Sequence, residues 1–113
     1  MNKAKISITS AEGTVKAMES DVLYGCAMNR TEKEDGTKGV SCQSFLVGGR
    51  DIPGIHMAEP MGASVSLIIE RVAEGDTELE LAMLEIVHDE IARRSNELLQ
   101  ERKGGRRYAG NQR

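Results

Sequence analysis

The stretch "GDTELELAMLEIVHDEIARRSNELLQERKGG", residues 75–105, decides how the rest of the chain is read. It reads as one long helix whose first half is too apolar for a surface and whose second half is too charged for a core. Asp76 or Thr77 is placed to cap it, and Thr77 with Glu80 has the capping-box spacing in which each side chain answers a free backbone N–H. Glu78 and Glu80 favour the positive N-terminal end and Arg102 and Lys103 the negative C-terminal end, before Gly104 and Gly105 are expected to stop the helix. At about 100° per residue, Leu79, Met83, Leu84, Ile86, Val87, Ile91 and Leu98 fall on a continuous arc that Leu81 and Leu99 widen further. The arc exceeds the roughly 100° stripe that covers one core. The helix is therefore expected to serve two contacts, one with its own sheet and one with a neighbouring helix, which is either the chain's own or the same helix of another copy.

Glu90 and Arg94 project onto the middle of that arc, four residues apart in the order that pairs best. They are a solvent-exposed pair if the helix emerges from the core after Ile91, and an interface or ligand site if charges on an apolar face meet a polar partner and fix its register. Met83, Leu84, Val87, Glu90, Ile91 and Leu98 form the expected interface. Arg93 and Arg94 diverge within one helix, but two copies of either converge across a symmetric dimer.

Upstream, the chain reads as strands followed by helices. "KAKISITS" alternates, with Ile6 and Ile8 on one face, and "TVKAMES" is its expected partner strand. "DVLYGCAM" and "GVSCQSFLV" flank Asp35-Gly36, the pair preferred in tight hairpin turns. A two-residue turn there would set Asn29 opposite Cys42 and Cys26 opposite Phe45, with the cysteines on opposite faces; one residue more or less in the loop reverses that. "GGRDIPGIHMAEPMGA" is punctuated by Gly48, Gly49, Pro53, Gly54, Pro60 and Gly62 and is expected to be an irregular crossover. "SVSLIIERVAEG" then spaces Val65, Ile68, Ile69 and Val72 as a short helix over 64–74 capped by Gly75. The fold class is α+β: an N-terminal antiparallel sheet of about four strands including the Asp35-Gly36 hairpin, then a short helix and a long C-terminal helix. No internal repeat is evident.

The chain has 113 residues, enough for one compact domain, expected over 1–103, with a flexible basic tail over 104–113. Two Tyr, one Phe and no Trp leave an aliphatic, Met-rich core, and the scarcity of aromatics, which dominate packing in small domains and interfaces, points to a partner subunit. The net charge of −3 hides an asymmetry: residues 1–100 carry a balance of −7 and residues 101–113 a balance of +4. The tail's arginines, glycines and tyrosine suit a flexible nucleic-acid contact, but the acidic body would repel a phosphate backbone, so no nucleic-acid partner is expected. With no signal segment and no apolar run near the roughly 20 residues of a membrane span, a cytoplasmic protein without membrane attachment is expected.

Candidate chemistry is sparse. His88 and Asp89, adjacent on a helix, point about 100° apart and cannot make an oriented acid–base pair. His56 with Met57, Met61 and Glu59 offers donors to a soft metal, but loop methionines serve packing more often, and no metal or cofactor is expected. "VGGR" and "GCAMNR" are not phosphate loops, and Ser41, Cys42 and Ser44 lack a base in sequence context. Cys26 and Cys42 read as reduced, small apolar residues. In length, element order and lack of catalytic groups the chain resembles small accessory proteins of phages and other mobile elements, a class and not a family. Two non-enzymatic roles fit. One is an oligomer that sequesters a small anionic ligand, such as a nucleotide signal, between subunits through Arg94, Arg93, Arg30, Asn29 and Arg50. The other is an inhibitor module that blocks a larger host protein, such as one that binds nucleic acid.

Overall fold

The computed structural model describes residues 3–105; the tail expected over 104–113 lies outside them from residue 106 on. The chain divides into two compact units, Met1–Pro53 and Gly54–Arg113. The first carries β1 (Ala4–Thr9), β2 (Val15–Ser20), β3 (Val22–Glu32) and β4 (Lys38–Gly48), and the second carries α1 (Gly54–Ala73) and α2 (Thr77–Gly105). The class is α+β, with four antiparallel strands preceding two helices. The strands pair as two separate two-stranded sheets, β1 with β2 and β3 with β4.

Both hairpins close with the same turn. In the first, the Ser10 N–H donates to the Thr14 carbonyl and the Gly13 N–H to the Ser10 carbonyl; in the second, Lys33 donates to Thr37 and Gly36 to Lys33. Gly13 and Gly36 hold φ of 86° and 84°, the left-handed region in which a residue without Cβ sits without strain. The Asp35 carboxylate accepts the Thr37 N–H at 2.9 Å, which fixes Asp35-Gly36 inside a longer loop than the two-residue turn its sequence suggests. The register moves by one residue as a result: Met28 lies opposite Cys42, Asn29 opposite Ser41 and Cys26 opposite Ser44. Since alternate residues share a face, Cys26 and Cys42 stand on the same side of the sheet. The sequence repeats the device as "AEGT" at 11–14 and "EDGT" at 34–37, a short internal similarity that a search for whole repeats overlooks.

The two hairpins meet where β2 turns into β3. The Asp21 carbonyl accepts the Gly49 N–H at 3.1 Å, and the Asp21 carboxylate pairs with Lys3 Nζ at 2.5 Å. Gly48 passes so close, at φ 81°, that a Cβ there would collide with the Asp21 carbonyl oxygen and rest on the Cβ of Ala4. Ala4, beneath this junction, is the buried apolar residue of the sheet unit among the described residues. Gly25 sits directly under Phe45, whose ring would lie 2.9 Å from a Cβ at that position; the aromatic covers the backbone that the glycine leaves bare.

The helical unit corrects the expected crossover. Residues 54–63 are not irregular but form the first half of α1, which runs 20 residues from Gly54 to Ala73 with Pro60 inside it. Ile55, Ala58, Met61, Gly62, Val65 and Ile69 keep one helical face through the glycines and the proline, so periodicity overrides punctuation. The cost of Pro60, a lost backbone bond and a ring clash, is not met by burial in this half, where Ile55 is 79% exposed; the buried residues are Ile69 and Ala73 at the far end. Glu74, at φ 49°, and Gly75, at φ 86°, reverse the chain. Asp76 takes the N-cap of α2, accepting the Leu79 N–H on Oδ1 at 3.1 Å. Thr77 is therefore the first helical residue and the Thr77–Glu80 capping box is not the cap. At its other end α2 runs on through Gly104 to Gly105, past the stop expected after Lys103.

Two glycines separate these effects in a thermal unfolding experiment followed by circular dichroism. Gly48→Ala is expected to destabilise the protein by about 1–3 kcal/mol through its left-handed φ and the Asp21 contact. Gly62→Ala, in a helix interior with nothing within 4 Å of the new methyl, is expected to stabilise it by about 0.5–1 kcal/mol.

Candidate functional site

The wide apolar arc of α2 is only partly used. Met83 and Val87, at its centre, are half-buried, while Leu84, Ile91 and Leu98 are exposed. These three recur every seven residues, the spacing that keeps one seam facing a partner helix. On α1, Met61, Val65, Ile68 and Val72 alternate steps of four and three and are exposed as well. Each helix thus presents an apolar stripe beyond what the described residues cover.

The charged half of α2 is organised around Arg93. Its guanidinium donates to Glu90, with Nη2 2.5 Å from Oε1, and through Nη1 to Glu97. Arg94 Nη1 donates to the other oxygen of Glu97 at 3.2 Å. Arg93 stands three residues after Glu90 and four before Glu97, so its planar fork takes both carboxylates at once. Glu90 is therefore bonded to Arg93, and Arg94, its partner by sequence spacing, turns to Glu97. The hydrogen bond from Arg93 and then its charge hold the Glu90 carboxyl below the usual carboxylate range, and Glu90 in turn raises the Arg93 guanidinium. Two cations and two anions balance within one helix, all exposed.

The other expected ligand residues lie in the sheet unit and do not converge within it. Asn29 and Arg30 are consecutive on β3 and point to opposite faces. Arg30 lies opposite Val40, eight residues before Gly48, whereas Arg50 follows Gly48 in the turn closed by the Ile52 N–H on the Gly49 carbonyl. At about 3.3 Å per residue, roughly 26 Å of strand separates the level of Arg30 from Gly48, so Arg30 and Arg50 lie toward opposite ends of the hairpin and do not converge on one small anion in a single chain. A hollow on the β1–β2 hairpin, lined by Lys5, Ile6, Ser7, Ala17, Met18 and Glu19, is open and shallow.

His88 Nδ1 lies 3.6 Å from Asp89 Oδ1, both exposed, beyond hydrogen-bonding range. Cys26 and Cys42 are free and exposed and not buried as small apolar residues. His56, Met57, Glu59 and Met61 lie on α1 instead of a loop. Among the described residues no group of three or more His, Cys, Asp or Glu side chains gathers as a metal cluster, and no helix is long and apolar enough to cross a membrane. Comparison with protein-family models, curated proteins and solved structures finds no match.

The Glu90–Arg93 bond has a pH signature. Because the folded pKa of Glu90 is depressed, its contribution is present above the unfolded value and is lost as pH falls through the folded one. A carboxyl-detected NMR titration is expected to place Glu90 below the ordinary value of 4.5. In Arg93→Gln it should return to that value; an unchanged Glu90 would show that Arg93 is not its partner in solution.

Proposed function

We propose that the chain is a non-enzymatic binding protein that works as an assembly of its own copies, joined through α2, and holds a small anionic ligand such as a nucleotide between subunits. The observation that carries the assembly is the exposed seven-residue stripe Leu84, Ile91 and Leu98 beside the half-buried Val87. A second copy of the same helix is self-complementary to such a stripe, whereas water is not. Anion binding follows from the assembly. Arg30 and Arg50 do not converge within the sheet unit, but symmetry multiplies each arginine at a subunit boundary, where positive charge and polar donors are supplied without a deep cavity in a small domain.

The neutral Glu90–Arg93–Glu97–Arg94 network favours a second reading, the inhibitor module that blocks a larger protein. An anion binding at α2 must displace Glu90 and Glu97 from the arginines. An apolar surface rimmed by balanced charge suits a protein partner at no such cost.

Light scattering at tens of micromolar, a working concentration for an interface of ordinary affinity, is expected to show at least a dimer. Ile91→Asp or Leu84→Asp should dissociate it or unfold it, whereas Glu85→Gln should leave it intact. A monomeric parent overturns the assembly. Calorimetry with nucleotides on the parent, Arg94→Ala and Arg30→Ala then separates the two readings. A parent signal weakened by either change supports anion binding between subunits, and a parent that binds no nucleotide tested leaves the protein-blocking role.

A further inference from the structure

The one-residue register shift of the β3–β4 hairpin places three sulfur-bearing residues on one face at adjacent positions. Met28 lies directly opposite Cys42, and Cys26 is two residues before Met28 on the same strand and face. Directly opposed Cβ atoms are about 4.5–5.5 Å apart, and diagonal neighbours such as Cys26 and Cys42 about 7–8 Å or somewhat less. The diagonal is too long for a disulfide, which needs Cβ atoms about 3.5–4.5 Å apart. It suits a bridging ion: two sulfurs on opposite sides of a metal, each at about 2.3 Å, are about 4.6 Å apart, a span that two Cβ–Sγ bonds turned inward can meet. Met28, with three rotatable bonds and 66% exposed, can bring its thioether to the same point from the facing position.

The donors are soft. Tyr24, Val40, Leu46 and Ser44, the last directly opposite Cys26, share this face with the three residues, and no histidine or carboxylate stands between them. Thiolate and thioether donors select copper(I) and its kind, while magnesium or calcium requires oxygen ligands, and a structural zinc site requires four donors of nitrogen or sulfur type. Charge is also accounted for. Binding a monovalent cation releases one proton from each thiol to the solvent and leaves a complex of charge −1. Arg30, the next residue of β3 on this face after Met28, supplies a compensating positive charge.

We infer that Cys26, Cys42 and Met28 form a binding site for one soft monovalent metal ion, of the copper(I) class, on the exposed face of the β3–β4 hairpin. It is independent of the α2 assembly, and none of its donors belongs to the anion-binding residues.

The test uses the full chain, reduced and under argon, titrated with silver(I) in chloride-free buffer as a redox-inert probe. Stoichiometry is read by native mass spectrometry and affinity by competition with a chelator. One ion per chain is expected. Cys26→Ser and Cys42→Ser should each weaken binding by roughly a hundredfold or more and Met28→Leu by roughly tenfold, as lost ligands at a soft site. Met18→Leu, on the other hairpin, should change nothing, and circular dichroism checks that each variant is folded. Two ions per chain, or half an ion per chain, would mean that the thiols act separately or between chains. Either result overturns the site, as does a folded Met28→Leu or single-cysteine variant that binds as tightly as the parent.

Discussion

A two-stranded antiparallel hairpin has no interior. Three strands with an apolar face, or a covering helix, are needed before such a sheet holds itself together in water, and here β1–β2 and β3–β4 each stop at two. Every apolar side chain on them must be covered from outside or stand exposed. Among the described residues Ala4 alone is buried in the sheet unit, and Met28, Val40, Leu46 and Val47 are exposed on the longer hairpin. Backbone pairing and the Asp21 junction give the hairpins their geometry, but hydrogen bonds that replace bonds to water contribute little net stability. The helical unit faces the same constraint, with Ile69 and Ala73 buried at the turn and apolar stripes left on both helices. The proposed assembly would therefore cover apolar surface that hairpins and helices alike leave exposed.

Most of the architecture is legible in the sequence because its signals are local. The alternation of Ile6 and Ile8, the Asp35-Gly36 turn and the helical spacing from Val65 onward depend on neighbours within a few residues, and they place four strands and two helices in the right order. Failures occur where two local signals compete. Over 54–63, glycine and proline argued against the helical period of Ile55, Ala58, Met61 and Val65, and the period won because it continues an established helix. At the hairpin, Asp35-Gly36 allows either a two-residue or a longer loop. The choice falls to the bond from the Thr37 N–H to Asp35 and the closure of Lys33 on Thr37, which no residue propensity reveals. The "AEGT" and "EDGT" segments held that information jointly, since one turn that needs its glycine in the fourth position predicts the other.

The candidate site was legible in composition and not in geometry. Arg93 and Arg94 were identifiable as charges near an apolar face, and their divergence follows from helix geometry alone. Their partners did not follow. Spacing allows Glu90 to reach either arginine, and the outcome depends on Glu97, which can accept from both. A bidentate guanidinium between two carboxylates is a better arrangement than two separate pairs, so the network forms around Arg93. Whether Cys26 and Cys42 share a face stays open in the sequence for a different reason: it depends on the parity of one loop, and parity is fixed by a single residue.

The position of Arg94 on the α2 seam bears on what an assembly through this helix gains. Val87 and Arg94 occupy the steps between Leu84, Ile91 and Leu98, so a partner helix that covers the leucines also covers Arg94. Bringing a lone guanidinium out of water would cost several kcal/mol. In the proposed assembly Arg94 would instead enter with Glu97 attached, and Arg93 with Glu90, so that the covered group is neutral overall and retains its hydrogen bonds. Such a pair adds little affinity when compared with apolar residues of the same size. What it changes is selectivity, because a partner shifted along the seam would press an apolar side chain on the charged pair and leave its remaining donors unmatched. In the proposed assembly the leucine and isoleucine positions would supply the attraction and Arg94 would restrict the register. That division of roles accounts for charged residues lying in line with the apolar ones on a helix that needs its apolar surface covered.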